Sequence, residues 1–135
     1  MASLVWNSKL DPTVDLMNIH FSKIDECIKS IDSEITDEHV SCEHTIRLIN
    51  QLEQLCKMHF TYEEAILEGM KYPSTEEHKA LHQSFLKTFE PFKASSDQCH
   101  SLSFIGNFIK LRMDFVRNLN DETMKLCDFI TGMYC

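Results

Sequence analysis

Apolar residues recur at every third or fourth position through long stretches of the chain, and that spacing constrains the fold more than any other feature of the sequence. Residues three or four apart lie on one face of an α-helix, so each stretch presents a single stripe. The first stripe reads Leu16, His20, Ile24, Cys27, Ile31, and the second reads Ile49, Leu52, Cys56, His59, Glu63, Ile66, Met70. The third is His78, Leu81, His82, Phe85, Phe89, and the fourth is Phe104, Phe108, Leu111, Phe115, Asn118, Glu122, Leu126, Phe129. Asp11-Pro12 supplies an N-cap and a first-turn proline, and Thr36 or Asp37 starts the second helix. Gly69 and Pro73 in "GMKYPST" end that helix, Ser74 and Glu77 form a capping box, Pro91 closes the third helix, and "KASSDQC" is a polar loop. The expected helices cover about 12–34, 37–70, 74–90 and 101–130, preceded by an N-terminal arm, 1–11, whose Trp6 packs across the bundle. Amphipathic helices joined by short loops specify an all-α, antiparallel up-down four-helix bundle, here one domain over residues 1–135.

With three Gly and three Pro, the chain lacks the turn residues of a β-sandwich. A net charge of −8 with no basic cluster argues against nucleic acid or an anionic membrane as partner. No apolar run approaches the ~20 residues of a membrane span. The start, "MASLVWNSKLDP", shows no signal-peptide pattern; a cytoplasmic location is expected, and so, separately, is a monomer. The six cysteines, Cys27, Cys42, Cys56, Cys99, Cys127 and Cys135, show no CxxC spacing and read as reduced packing residues, with Cys135 exposed. His39, His44 and His100 fall near helix ends or loops and read as solvated.

Each stripe is interrupted by side chains able to bind a metal: His20, then His59 with Glu63, then His78 with His82, then Asn118 with Glu122. Burying so many polar groups costs free energy unless they are paired, and a metal centre pairs them together. Imidazole with carboxylate suits iron, zinc or manganese, and the number of donors exceeds one tetrahedral zinc. Taken singly, His20 also fits a satisfied core histidine, and His59 with Glu63 fits an ordinary helix-surface pair. The convergence of separate helices favours the metal.

These residues resemble the hemerythrin family, whose pattern HFxxEE, a Tyr-Pro or similar turn, then HxxxH stands here as "HFTYEE", "KYP" and "HKALH". "VWN" and "LMNIH" resemble the family's N-terminal arm and first ligand, and the interval of 39 residues from His20 to His59 resembles microbial single-domain members. The resemblance implies two iron ions, oxo- or hydroxo-bridged, inside the bundle. Glu63 would bridge them, His20 and His59 would bind one, and His78 and His82 the other. It implies reversible O2 binding, with Phe60, Phe115 and Leu119 as apolar walls of the O2 pocket; ordinary core packing is compatible with the same residues.

The fourth helix departs from the family's HIxxxD, since no histidine follows His100. Asn118-Leu119 occupies the "HI" position, and Glu122 is the nearest inward carboxylate, so Glu122 is assigned as the second bridge. Asp121 is the fallback, although Asp114, Asp121 and Asp128 share a face with Lys110, Arg117 and Lys125. Asn118 is a weaker ligand than imidazole, which opens a second set of expectations: peroxidase, ferroxidase or NO-handling activity, or an iron-buffering scaffold.

Overall fold

The computed structural model describes residues 12–95, 97–119, 124–126 and 128–130, the side chains of 12–15, 18, 118 and 119 excepted. Trp6, Asp121, Glu122, Cys127 and Cys135 lie outside the described residues. Among the described residues every regular element is helical: α1 (Pro12–Ile35), α2 (Cys42–Gly69), α3 (Thr75–Leu86), a 3-10 turn (Lys87–Phe89), α4 (Glu90–Ala94), α5 (Leu102–Asp114) and a π-helical turn (Phe115–Leu119).

The buried face of α1 consists of Met17, Phe21, Ile24, Cys27, Ile28, Ile31 and Ile35. Leu16 is 39% exposed, so the expected stripe is out of phase at its beginning, and His20 falls at the edge of the face rather than its centre. The second helix starts later than its sequence signals suggest. Asp37 Oδ1 accepts the N–H of His39 at 3.0 Å and so closes its own turn, and Thr36 Oγ1 donates back to carbonyls of α1. Ser41 is the actual N-cap, accepting the N–H of His44 at 3.4 Å.

At the far end of α2, Tyr72 N–H reaches Leu67 O at 3.0 Å and Lys71 N–H reaches Glu68 O at 3.2 Å. Lys71 takes the left-handed conformation this closure requires, with φ 54°, while Gly69 remains the last helical residue. The expected capping box does not form, because the Ser74 side chain makes no cap hydrogen bond; Thr75 Oγ1 instead bonds Tyr72 O at 2.6 Å. Nor does Pro91 end the third helical segment. It falls in the first turn of α4, where no helical partner needs its missing N–H.

Contacts between neighbouring helices run in opposite senses. Rising numbers on α1 meet falling numbers on α2: His20 with His59, Cys27 with Leu48, Glu34 with Thr45. The same holds from α2 to the segment that follows, as Glu63 meets His78, Phe60 meets Phe85 and Glu53 meets Lys93. Phe85 meets Phe115, and Phe92 meets Phe104 and Phe108. The packing is therefore antiparallel throughout. Phe21 against Phe115 and an Arg112–Asp32 ion pair join α5 and its π turn to α1. Phe85, Phe89, Phe92, Phe104 and Phe108 fill one half of the core, and Met17, Leu67, Leu126 and Ile130 form a separate apolar cluster.

The cysteines correct the expectation of a fully reduced chain. Cys42 and Cys99 form a disulfide, with Cα atoms 5.4 Å apart, because the start of α2 and the loop before α5 meet at one end of the bundle. Cys27 and Cys56 are free and buried, as packing residues should be, and burial pushes the Cys27 thiol up to about 11. No helix among the described residues is long and apolar enough to cross a membrane.

Candidate metal centre

One helical turn separates His59 from Glu63 on α2, and another separates His78 from His82 on α3. The short turn between the helices folds α3 back along α2, so the two pairs face each other inside the protein. Glu63 is 0% exposed, and His59, His78 and His82 are each 1% exposed. Both carboxylate oxygens of Glu63 face imidazole: Oε2 lies 2.7 Å from His59 Nε2, while Oε1 meets His78 Nε2 and lies 3.5 Å from His82 Nε2. Glu63, His78 and His82 offer donor atoms within 4.8 Å of one another.

Burial would push the Glu63 carboxyl up, but the imidazoles of His59, His78 and His82 set around its two oxygens outweigh it and hold the group well below the usual carboxylate range. The interior therefore retains an ionised carboxylate. His59 Nε2, for its part, makes no aligned hydrogen bond despite the nearby oxygen. A nitrogen and an anionic oxygen this close, with no proton aligned between them, are suited to a shared cation. The donor set of imidazoles and one carboxylate fits iron, zinc or manganese.

A family model described as the Integrator complex subunit 7 helical bundle matches residues 29–131. That bundle is unrelated to the hemerythrins, and the match reports a shared helical architecture. Bacteriohemerythrin of Pseudomonas aeruginosa (strain LESB58) is 26% identical over 94 residues, which is 69% of this chain and 60% of the relative. Myohemerythrin of Theromyzon tessulatum is 28% identical over 82 residues, 59% of this chain and 66% of the relative. The chain is a distant homologue of the hemerythrins. Its match spans 60% of the length of the bacteriohemerythrin, and no solved structure matches it significantly.

The remaining sequence-derived site residues of this hemerythrin-like chain are placed unevenly. His20 comes beside His59 but not beside Glu63: its Nδ1 is 3.3 Å from Nδ1 of His59, on the ring edge away from the carboxylate. Burial, then the neighbouring His59 and Lys23, lower its pKa. Phe60 stacks on His82 with centroids 3.9 Å apart, and Phe115 packs against Phe21 and Phe85 at 5.5 and 6.0 Å. Asn118 and Leu119 lie in the π-helical turn, with side chains outside the description. A wide turn breaks the 3.6-residue phase, so the spacing that favours Glu122 over Asp121 does not carry across it. Both carboxylates lie outside the described residues.

The structure also adds a residue that the stripes miss. Glu64 Oε2 accepts from His82 Nδ1 at 2.9 Å, which places a ring proton on Nδ1 and leaves Nε2 facing Glu63. The signal for it was the paired "EE", whose second carboxylate sits 100° further round α2 and within reach of α3. An open groove of about 510 Å³, lined by His20, Lys57, Met58, Thr61 and Tyr62, lies on the solvent side of His20.

Proposed function

We propose that the chain holds two iron ions and binds O2 reversibly, for storage, delivery or sensing, as a monomeric cytoplasmic protein. The observation that carries this reading is Glu63, buried and ionised, with imidazole at each of its oxygens. Glu63 would bridge the irons, His59 with His20 would hold one, and His78 with His82 the other. Asn118 and either Glu122 or Asp121 would complete the site from the fourth helix. When bound, an iron pair supplies the electrons that a reversible O2 carrier lends and recovers.

The chain's own residues support that chemistry in identifiable ways. Glu64 fixes the orientation of His82, and Phe60 stacked on the same ring holds its plane. Phe60 and Phe115, 2% and 4% exposed, form apolar walls that exclude water. Homology to proteins named bacteriohemerythrin and myohemerythrin favours a carrier over an enzyme.

A second reading rests on the missing fourth-helix histidine. With Asn118 in its place, the site would favour peroxidase, ferroxidase or NO-handling activity, or simple iron buffering. Anaerobic iron loading, metal analysis and absorption spectra before and after O2 separate these outcomes. The carrier shows a full iron complement and an oxygenated spectrum that bleaches when O2 is removed. Rapid irreversible oxidation favours the second reading, and failure to take up ferrous ion excludes both.

A further inference from the structure

Cys42 and Cys99 meet at the end of α2 remote from the His/Glu cluster. Cys42 is the first residue of α2 and half-buried, whereas Cys99 is completely buried. A thiol reagent therefore meets Cys42 first. The N–H of Cys99 donates to Cys42 Sγ at 3.2 Å, and the N-terminus of a long helix adds positive potential there. Accessibility selects Cys42 for the first attack, and both of these features favour its later release as a thiolate in the second exchange and its attack when the bond re-forms.

His100 supplies a second, independent observation. Its Nδ1 faces the carbonyl of Ile35 at 3.0 Å, and its Nε2 faces that of Val40 at 2.9 Å. Neutral imidazole carries one N–H, so only imidazolium serves both carbonyls. Those two bonds, assisted by Glu38 and Asp37, raise its pKa. One of its ring nitrogens lies within 4.8 Å of both sulfurs. The His100 ring thus stands beside the buried sulfur, and in its doubly protonated form both N–H groups are committed to carbonyls, which leaves no lone pair to offer a metal.

We propose that Cys42–Cys99 is an exchange-active redox clasp, opened and closed by a small thiol–disulfide couple such as glutathione, with Cys42 as the attacked sulfur and His100 as a positioning residue for the departing thiolate. A glutathione thiolate attacks Cys42 Sγ, the S–S bond breaks, and Cys99 leaves as a thiolate beside the His100 cation. A second glutathione thiolate attacks the mixed disulfide and releases Cys42 as a thiolate. Two reduced glutathiones become one oxidised glutathione, and both cysteines take protons from solvent. Closure is the reverse, with oxidised glutathione as the oxidant. Opening frees the loop before α5 from the start of α2.

The test incubates the full chain with stepped ratios of reduced to oxidised glutathione, traps thiols by alkylation, and maps peptides so that Cys42 and Cys99 are resolved from the other four cysteines. The closed fraction should move from nearly complete to nearly absent across the series while circular dichroism shows the chain still folded. Cys99→Ser should take one glutathionyl group at Cys42, and Cys42→Ser should react at Cys99 at least about tenfold more slowly. His100→Gln should slow opening by about tenfold, as expected for a poorer leaving thiolate. A folded wild-type chain that stays closed at the reducing limit, or open at the oxidising limit, overturns the proposal. So does equal reactivity of the two serine variants, or an unchanged opening rate in His100→Gln. Uptake of one zinc per reduced chain, lost in both Cys42→Ser and His100→Gln, would show a cation site instead. Should the variants fail to fold, the wild-type series alone decides whether the clasp exchanges.

Discussion

The phenylalanine-filled half of the bundle and the half built around Glu63 are equally buried, yet their interiors are stabilised by different means. Phe89, Phe92, Phe104 and Phe108 are 0–1% exposed and need only mutual contact. Glu63, His59, His78 and His82 are just as dry, but each carries polar atoms that water would otherwise satisfy. Apolar side chains at those four positions would give a more stable bundle at less risk. Their presence points to a role that contact alone does not serve, and the contrast shows which half stabilises the fold and which half uses it.

The largest expected stability loss lies in the apolar half. Phe108→Ala should lower the unfolding free energy of the metal-free protein by about 3–5 kcal/mol, measured by urea denaturation. Glu63→Gln should do the opposite kind of damage. The amide keeps the shape and much of the hydrogen bonding, so the metal-free fold persists with a smaller loss, while iron retained after anaerobic loading and gel filtration falls to background. Equal destabilisation by the two variants would erase the distinction between the halves.

Glu64→Ala sharpens the boundary of the polar half. Losing the partner of His82 Nδ1 should weaken iron binding by roughly 10–100-fold in a competition titration, with little change in the metal-free melt. At the turn after α2, Lys71→Gly relieves a left-handed lysine and should raise stability by a few tenths to about 1 kcal/mol, without touching iron content.

The smallest expected effect is a pH dependence from His100. Its pKa is raised in the folded chain, so its contribution is fully present below about pH 6.5, the unfolded value, and is lost as pH rises through the folded value. Melting curves of the disulfide-closed protein across neutral pH should show that decline in the wild type and its absence in His100→Gln.

Much of the molecule was legible before any coordinates. Stripes with a 3.6-residue period can be buried only by other stripes, and "GMKYPST" leaves α3 nowhere to go but back along α2. The meeting of His59, Glu63, His78 and His82 follows from that turn and from two spacings of four. Where the phase is interrupted, the reading weakens. Asp37 closes its own turn and delays α2, Met17 displaces Leu16 and leaves His20 at an edge, and the wide turn at Phe115–Leu119 breaks the register before Glu122.

The order of the residues was sufficient for local periodicity and for the partners that periodicity brings together, because a helix converts spacing into direction. The Cys42–Cys99 bond, the carbonyls held by His100 and the support of His82 by Glu64 required the packed structure. Each joins groups from different elements, and no rule of spacing along one helix says which distant atom another helix will present.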